Sequence, residues 1–164
     1  MKHFITRYFL FLILLFILFY APTTELSIVL NGIQSRWTLM ALNTFLQPEQ
    51  LRGVDIWINP HYKIVITQAC NAVIPILFLY ASVLAYPSSF KHKIVWMFVG
   101  YIVFFIVNIV RILWVVYVVQ NAEGHKDFYW SHDIIGNVLL LCTGVGLFFS
   151  YIKTSKVKTT SKSL

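Results

Sequence analysis

Four apolar runs alternate with more polar segments, of which 31–63 is long: 8–21, able to continue past Pro22 through Leu26, Ile28, Val29 and Leu30, then 64–86, 94–119 and 133–152. At about 1.5 Å of rise per residue, each is long enough as a helix to cross a hydrocarbon core of about 30 Å. The pattern predicts a single all-α membrane domain over 1–164, a bundle of about four transmembrane helices spanning 8–30, 64–86, 94–119 and 133–152, with a basic tail at 153–164. The first run lacks a small-x-small pattern at Tyr20-Ala21-Pro22, which favours a retained signal anchor over a cleaved signal peptide. Pro87-Ser88-Ser89 closes the second run. Within the mixed stretch 31–63, Trp37, Leu39, Met40, Leu42, Phe45 and Leu46 recur at helical spacing. They suggest one short helix lying in the interface, with an ordinary loop as the alternative.

Composition strengthens the membrane reading. The chain is 59% hydrophobic and only 12% charged, with a mean hydropathy of +0.74, more apolar surface than a soluble domain of this length can bury. A net charge of +7 on so few charged residues fits basic flanks of membrane spans. It does not fit a nucleic-acid surface, which needs Lys and Arg spread over an exposed face. The charges are also partitioned. Lys2, Arg7, Lys91, Lys93, Lys153, Lys156, Lys158 and Lys162 flank the runs on one side with no acid among them, while Glu25, Glu49, Asp55, Glu123, Asp127 and Asp133 all fall on the other with Arg36, Arg52, Lys63 and Lys126. The positive-inside rule then places both termini in the cytoplasm and 31–63 and 120–132 outside.

With depth assigned, three reactive groups reach the outer leaflet. Cys70 lies seven residues from Lys63, about 10 Å down its helix, and Arg111 lies eight residues short of Val119, about 12 Å down the next. His132 opens the fourth span. A charge inside a membrane helix costs several kcal/mol unless it faces a bundle interior, a partner or water; the bland alternative is an arginine snorkelling to the headgroups. Asn108, at i−3, shares the face of Arg111 and is placed to orient the guanidinium. A lone cysteine is more often a small apolar residue, but a nearby cation favours the thiolate nucleophile and a histidine can move its proton. Pro75 cannot donate to the carbonyl of Asn71, so the helix is expected to kink or open just after Cys70 and expose backbone groups for docking.

Gly136, four residues after His132, allows close approach to the imidazole. Alone, His132 also reads as an interfacial histidine beside Trp130. His125 and His61 lie farther out, Cys142 falls near mid-bilayer as a structural residue, and His92 between Lys91 and Lys93 marks the cytoplasmic face. The two cysteines show no CxxC spacing, so neither a disulfide framework nor a redox pair is signalled.

Cys70-Asn71, Asn108-Ile109-Val110-Arg111 and His132-x-x-x-Gly136, taken together over about 64–150, resemble the exosortase/archaeosortase membrane transpeptidases, and the short chain resembles minimal members of that family. The resemblance implies a cysteine nucleophile at Cys70, oxyanion stabilisation by Arg111 and acid/base work by His132, with Asn71, Asn108 and Gly136 in support and no cofactor or metal. Ala72 stands where the family commonly has glycine. The implied partners are the lipid bilayer and secreted precursors ending in a short motif, a transmembrane helix and a basic cluster. The implied location is the bacterial inner membrane, with the site facing outward. The competing classes are a scaffold subunit pairing through Arg111 and a fragment of a transporter or channel. The charge partition predicts that reporters fused near Ser89 and after Ile152 read as cytoplasmic and one within 121–127 as external, and a cytoplasmic signal from 121–127 would contradict it.

Overall fold

The computed structural model describes residues 2–21, 24–60, 62–121 and 134–160. Five helices and a small sheet follow in order: α1 (Lys2–Phe19), α2 (Glu25–Phe45), β1 (Leu51–Arg52), β2 (Asp55–Asn59), β3 (Tyr62–Val65), a 3-10 turn (Gln68–Asn71), α3 (Val73–Ala85), α4 (Phe90–Asn121) and α5 (Gly136–Thr160). The expected first span, 8–30, is therefore two helices. Ala21 precedes a proline, which biases it away from helical backbone. Thr24 then starts the next helix from an extended conformation, its hydroxyl accepting the Ser27 N–H, with Glu25 in the first turn where the helix dipole favours negative charge.

The short interfacial helix expected around Trp37 to Leu46 is the second half of α2, which runs for 21 residues. Its amphipathicity is inverted relative to a soluble helix. Ser27, Gln34, Thr38 and Leu42, at spacings of about one or two turns, are buried, while Ile28, Val29, Ile33, Trp37 and Met40 are exposed. An apolar outer face with a polar inner stripe suits a helix solvated by lipid that must satisfy its polar groups against protein.

The all-helical expectation needs a second correction at 51–65, where a three-stranded antiparallel sheet has the order β1-β2-β3. Ile56 and Ile64 face each other across the central pair and pack with Ile66, Leu42, Ile112 and Val116 into one core cluster. Alternate residues point the other way. Arg52 and Lys63 lie over the Trp57 ring at 5.9 and 5.5 Å, and Lys63 Nζ meets Asp55 at 2.6 Å. The apolar run from 64 is read correctly as hydrophobic but begins as strand and turn. Helix α3 has 13 residues, about 20 Å at the helical rise, too short to cross a hydrocarbon core alone.

Among the described residues, α4 and the segment Gly136–Ser155 are long and apolar enough to cross a membrane. Helix α3 packs against α1, α4 and α5. Its approach to α4 depends on Gly100, where an added Cβ would lie 2.5 Å from a Leu79 methyl. At one end of the bundle Tyr151 is fully buried, its hydroxyl in contact with that of Ser88 and donating to the Val83 carbonyl at 3.2 Å. His92, expected only to mark a membrane face, is buried here instead. It stacks on Tyr151 at 5.0 Å and lies 3.3 Å from the Thr154 hydroxyl. Phe4 stacks on Phe148 at 6.3 Å, bringing the start of α1 to this same end. Gly100→Val should wedge α3 from α4 and lower stability by about 1–3 kcal/mol, read as earlier thermal unfolding in detergent; an unchanged melt would contradict the close approach.

Candidate functional site

Cys70 sits in the 3-10 turn between β3 and α3, so it is not within a spanning helix as the run of apolar residues suggests. Its N–H donates to the Thr67 carbonyl at 2.9 Å, and the Thr67 hydroxyl lies 3.7 Å from its Sγ. The turn is closed by Ala72 in the left-handed region, φ 54° and ψ 22°, a conformation costing a residue with a Cβ about 1–2 kcal/mol. Glycine avoids that cost, which gives a physical reason for the glycine that the family resemblance implies at this position. Pro75 falls in the first turn of α3, where its missing N–H is harmless. The expected opening after Cys70 is realised as the start of a helix, and Cys70 lies at that helix's positive end, a setting that favours a negative charge.

The backbone groups so released are not left open for docking, as the sequence led us to expect. Asn108 Nδ2 donates to the Cys70 carbonyl at 2.7 Å, and Gln34 Nε2 donates to the Asn71 carbonyl at 2.7 Å. Asn71 is itself fully buried and its side-chain amide donates to Ser35 Oγ at 2.8 Å. The Tyr101 hydroxyl donates to Gln34 Oε1 at 3.1 Å, tying α2 to α4. Helices distant in sequence thus hold the Cys70 turn through side-chain amides.

Arg111 is 2% exposed, so it does not snorkel to a headgroup region. It points within the bundle, and its Nη1 donates to Asn108 Oδ1 at 3.4 Å, one turn back on α4. Asn108 therefore contacts the Cys70 backbone with one atom and the Arg111 guanidinium with another. Gly136, at the start of α5, completes the enclosure: an added Cβ would lie 2.8 Å from Arg111 Nε and 3.0 Å from Cδ. Gly136 is thus adapted to the arginine, where the sequence suggested room beside an imidazole. His132, with His125 and His61, lies outside the described residues. Cys142 is exposed on α5 and takes no part in the core. Among the described residues no group of three or more His, Cys, Asp or Glu stands together to hold a metal.

Sequence reasoning missed Gln34, Ser35, Thr67 and Tyr101. The signal for Gln34 was present as the polar stripe Ser27, Asn31, Gln34 and Thr38 at helical spacing, hidden by reading 31–63 as an external loop.

A sequence model of the transmembrane exosortase family matches residues 3–149. No curated protein and no solved structure matches the chain.

Asn108→Leu removes the donor to a buried carbonyl, and such an unmet group costs about 1–3 kcal/mol. The variant should melt earlier in detergent, whereas Asn121→Ala, whose exposed amide donates to the Tyr117 carbonyl one turn back, should melt as wild type; equal melting of both would contradict the clamp.

Proposed function

The chain belongs to the transmembrane exosortase family, and from that premise we propose that it is a membrane-embedded cysteine transpeptidase that cuts the carboxy-terminal sorting tails of secreted proteins. Asn108 carries this reading, because one side chain links the backbone of Cys70 to the guanidinium of Arg111. An arrangement of thiol, buried cation and shared amide suits acyl transfer and has no evident use in packing alone.

The Cys70 thiolate attacks the scissile carbonyl of the tail, forming a carbon–sulfur bond as the carbonyl electrons move onto oxygen. Arg111, with its planar fork of donors, stabilises that oxyanion. As the tetrahedral species collapses the carbon–nitrogen bond breaks and His132 gives a proton to the departing amine. The result is a thioester on Cys70 and a released tail that keeps its transmembrane helix. An amine acceptor or water then attacks the thioester and gives a proton back to His132, and the carbon–sulfur bond breaks so that the acyl group leaves as an amide or an acid with the Cys70 thiolate restored. The partition of charge in the sequence assigns the site to the outer leaflet, and the family resemblance implies that the membrane is the bacterial inner membrane.

The scaffold reading required Arg111 to meet an acidic or polar residue of a partner helix. Arg111 is 2% exposed and so lies off the outward surface on which a partner helix would pack, while the Asn108 amide links it to the Cys70 turn, which favours the enzyme. A transporter or channel fragment gains no support from a buried cation held by a carboxamide.

Cys70→Ala should leave a membrane precursor uncut, read on a blot at matched expression. Arg111→Lys keeps a charge but loses the fork and should be nearly as damaging. Gly136→Ala should slow cleavage by displacing the guanidinium. His132→Ala should slow it about 10²- to 10⁴-fold, and Cys142→Ala should match wild type. Continued processing by Cys70→Ala ends the cysteine-enzyme reading.

A further inference from the structure

The strand that leads into the nucleophile turn has an outward edge whose polarity can be worked out from its register. The Ile66 N–H donates to the Val54 carbonyl at 2.8 Å, extending the pairing in which Asp55 faces Val65, Ile56 faces Ile64 and Trp57 faces Lys63. In an antiparallel ladder, pairs that exchange hydrogen bonds alternate with pairs that do not. The Val54/Ile66 and Ile56/Ile64 pairs are therefore the bonded ones. Lys63 and Val65 fall in the intervening pairs, with N–H and C=O groups directed away from β2. The other side of β2 agrees: the Trp57 N–H donates to the Gln50 carbonyl at 2.8 Å, so Asp55 and Trp57 serve β1 while Ile56 serves β3.

The order β1-β2-β3 leaves β3 at the rim of the sheet. Val65 is 45% exposed, and Lys63 is exposed as well. Among the described residues no strand pairs with that edge, and an edge of this kind is a template for an extended peptide, whose main chain it pairs directly. Its position decides which peptide. Thr67 stands two residues beyond Val65, about 7 Å along an extended backbone, and its hydroxyl is 3.7 Å from Cys70 Sγ. A segment paired to Lys63 and Val65 and continuing for two residues arrives at Thr67, the residue whose hydroxyl touches the buried Cys70 thiol.

We propose that the outer edge of β3, from Lys63 to Val65, is the docking strand for the extended segment next to the scissile bond of the polypeptide substrate. The segment adds to the sheet as a fourth strand and is delivered along Ile66 and Thr67 to Cys70. This rests on the cysteine-peptidase reading and names how that enzyme holds its substrate. Main-chain pairing gives affinity independent of sequence, and alternate side chains of the segment lie on the face that bears Trp57, where they can be selected.

The probe is the precursor that accumulates uncut in cells carrying Cys70→Ala. If none accumulates, the peptidase reading fails and the docking strand with it. Given a precursor, Val65→Pro deletes one outward N–H while leaving the ladder to β2 intact, a substitution that edge strands tolerate. Cleavage should slow roughly three- to ten-fold, the worth of one hydrogen bond, with little change in melting temperature. The second arm does not depend on that variant folding. In a chain carrying Cys70→Ala, Cys142→Ala and Val65→Cys, single cysteines placed on six successive precursor residues before the scissile bond are oxidised against position 65. Disulfides should form at every second residue, the period of a paired strand. Uniform cross-linking, a period of three to four residues, or none would overturn the docking strand while leaving Cys70 as nucleophile.

Discussion

Helix α3 starts from Ala72 in its left-handed conformation, so the carbonyls of Cys70 and Asn71 precede the helix and take no bond from its ladder. Two acceptors are thereby left in an interior where each unmet group costs about 1–3 kcal/mol. Asn108 from α4 and Gln34 from α2 meet them, both at 2.7 Å. The rest of the architecture follows from that need. Helix α2 must present a polar stripe inward, α4 must carry an amide at the depth of the turn, and Gly136 must be bare so that Arg111 fits beside Asn108. Because Asn108 also accepts from Arg111, the interaction that stabilises the turn positions the cation as well.

The charge of Arg111 gives this clamp a use in the proposed acyl transfer beyond its structural one. Placing a guanidinium at 2% exposure in an apolar bundle is expensive unless it is solvated by protein. A protein that needed only to hold a turn would do so with a carboxamide, as α2 does with Gln34. An additional buried cation has a use where negative charge develops, and the thiolate and oxyanion of acyl transfer supply such charge. The membership of the chain in a family of transmembrane exosortases agrees with that use.

Elements that obey one strong periodicity were legible in the sequence, and elements set by tertiary pairing were not. Helix α4 and the long apolar part of α5 appear where uninterrupted apolar runs predict them, because a spanning helix satisfies its own backbone and needs little else. The expected second span failed at its start. Ile64 and Val65 are as apolar as a helix would require, and only pairing with β2 makes them strand. The first span failed because length was counted through Pro22-Thr23-Thr24, a combination of proline and N-cap that ends one helix and begins another. At the site, Cys70, Arg111 and Asn108 stood out because thiol, charge and amide are rare in apolar runs. Gln34 did not, since its partner Asn71 is distant in sequence and its own segment was read as external. The role of Gly136 was legible as a need for closeness but not as closeness to Arg111, because sequence fixes depth along a helix and leaves its rotation open.

The central claim is that the Cys70 thiol carries the acyl group of the substrate. The direct measurement is peptide mass spectrometry of the protein purified from cells that process the precursor, using His132→Ala to slow turnover of the intermediate. The account predicts an acyl adduct on the peptide containing Cys70, removed by neutral hydroxylamine as a thioester should be and absent from Cys70→Ala. Precursor processing with Cys70 unmodified throughout, or an adduct on another residue, would contradict it.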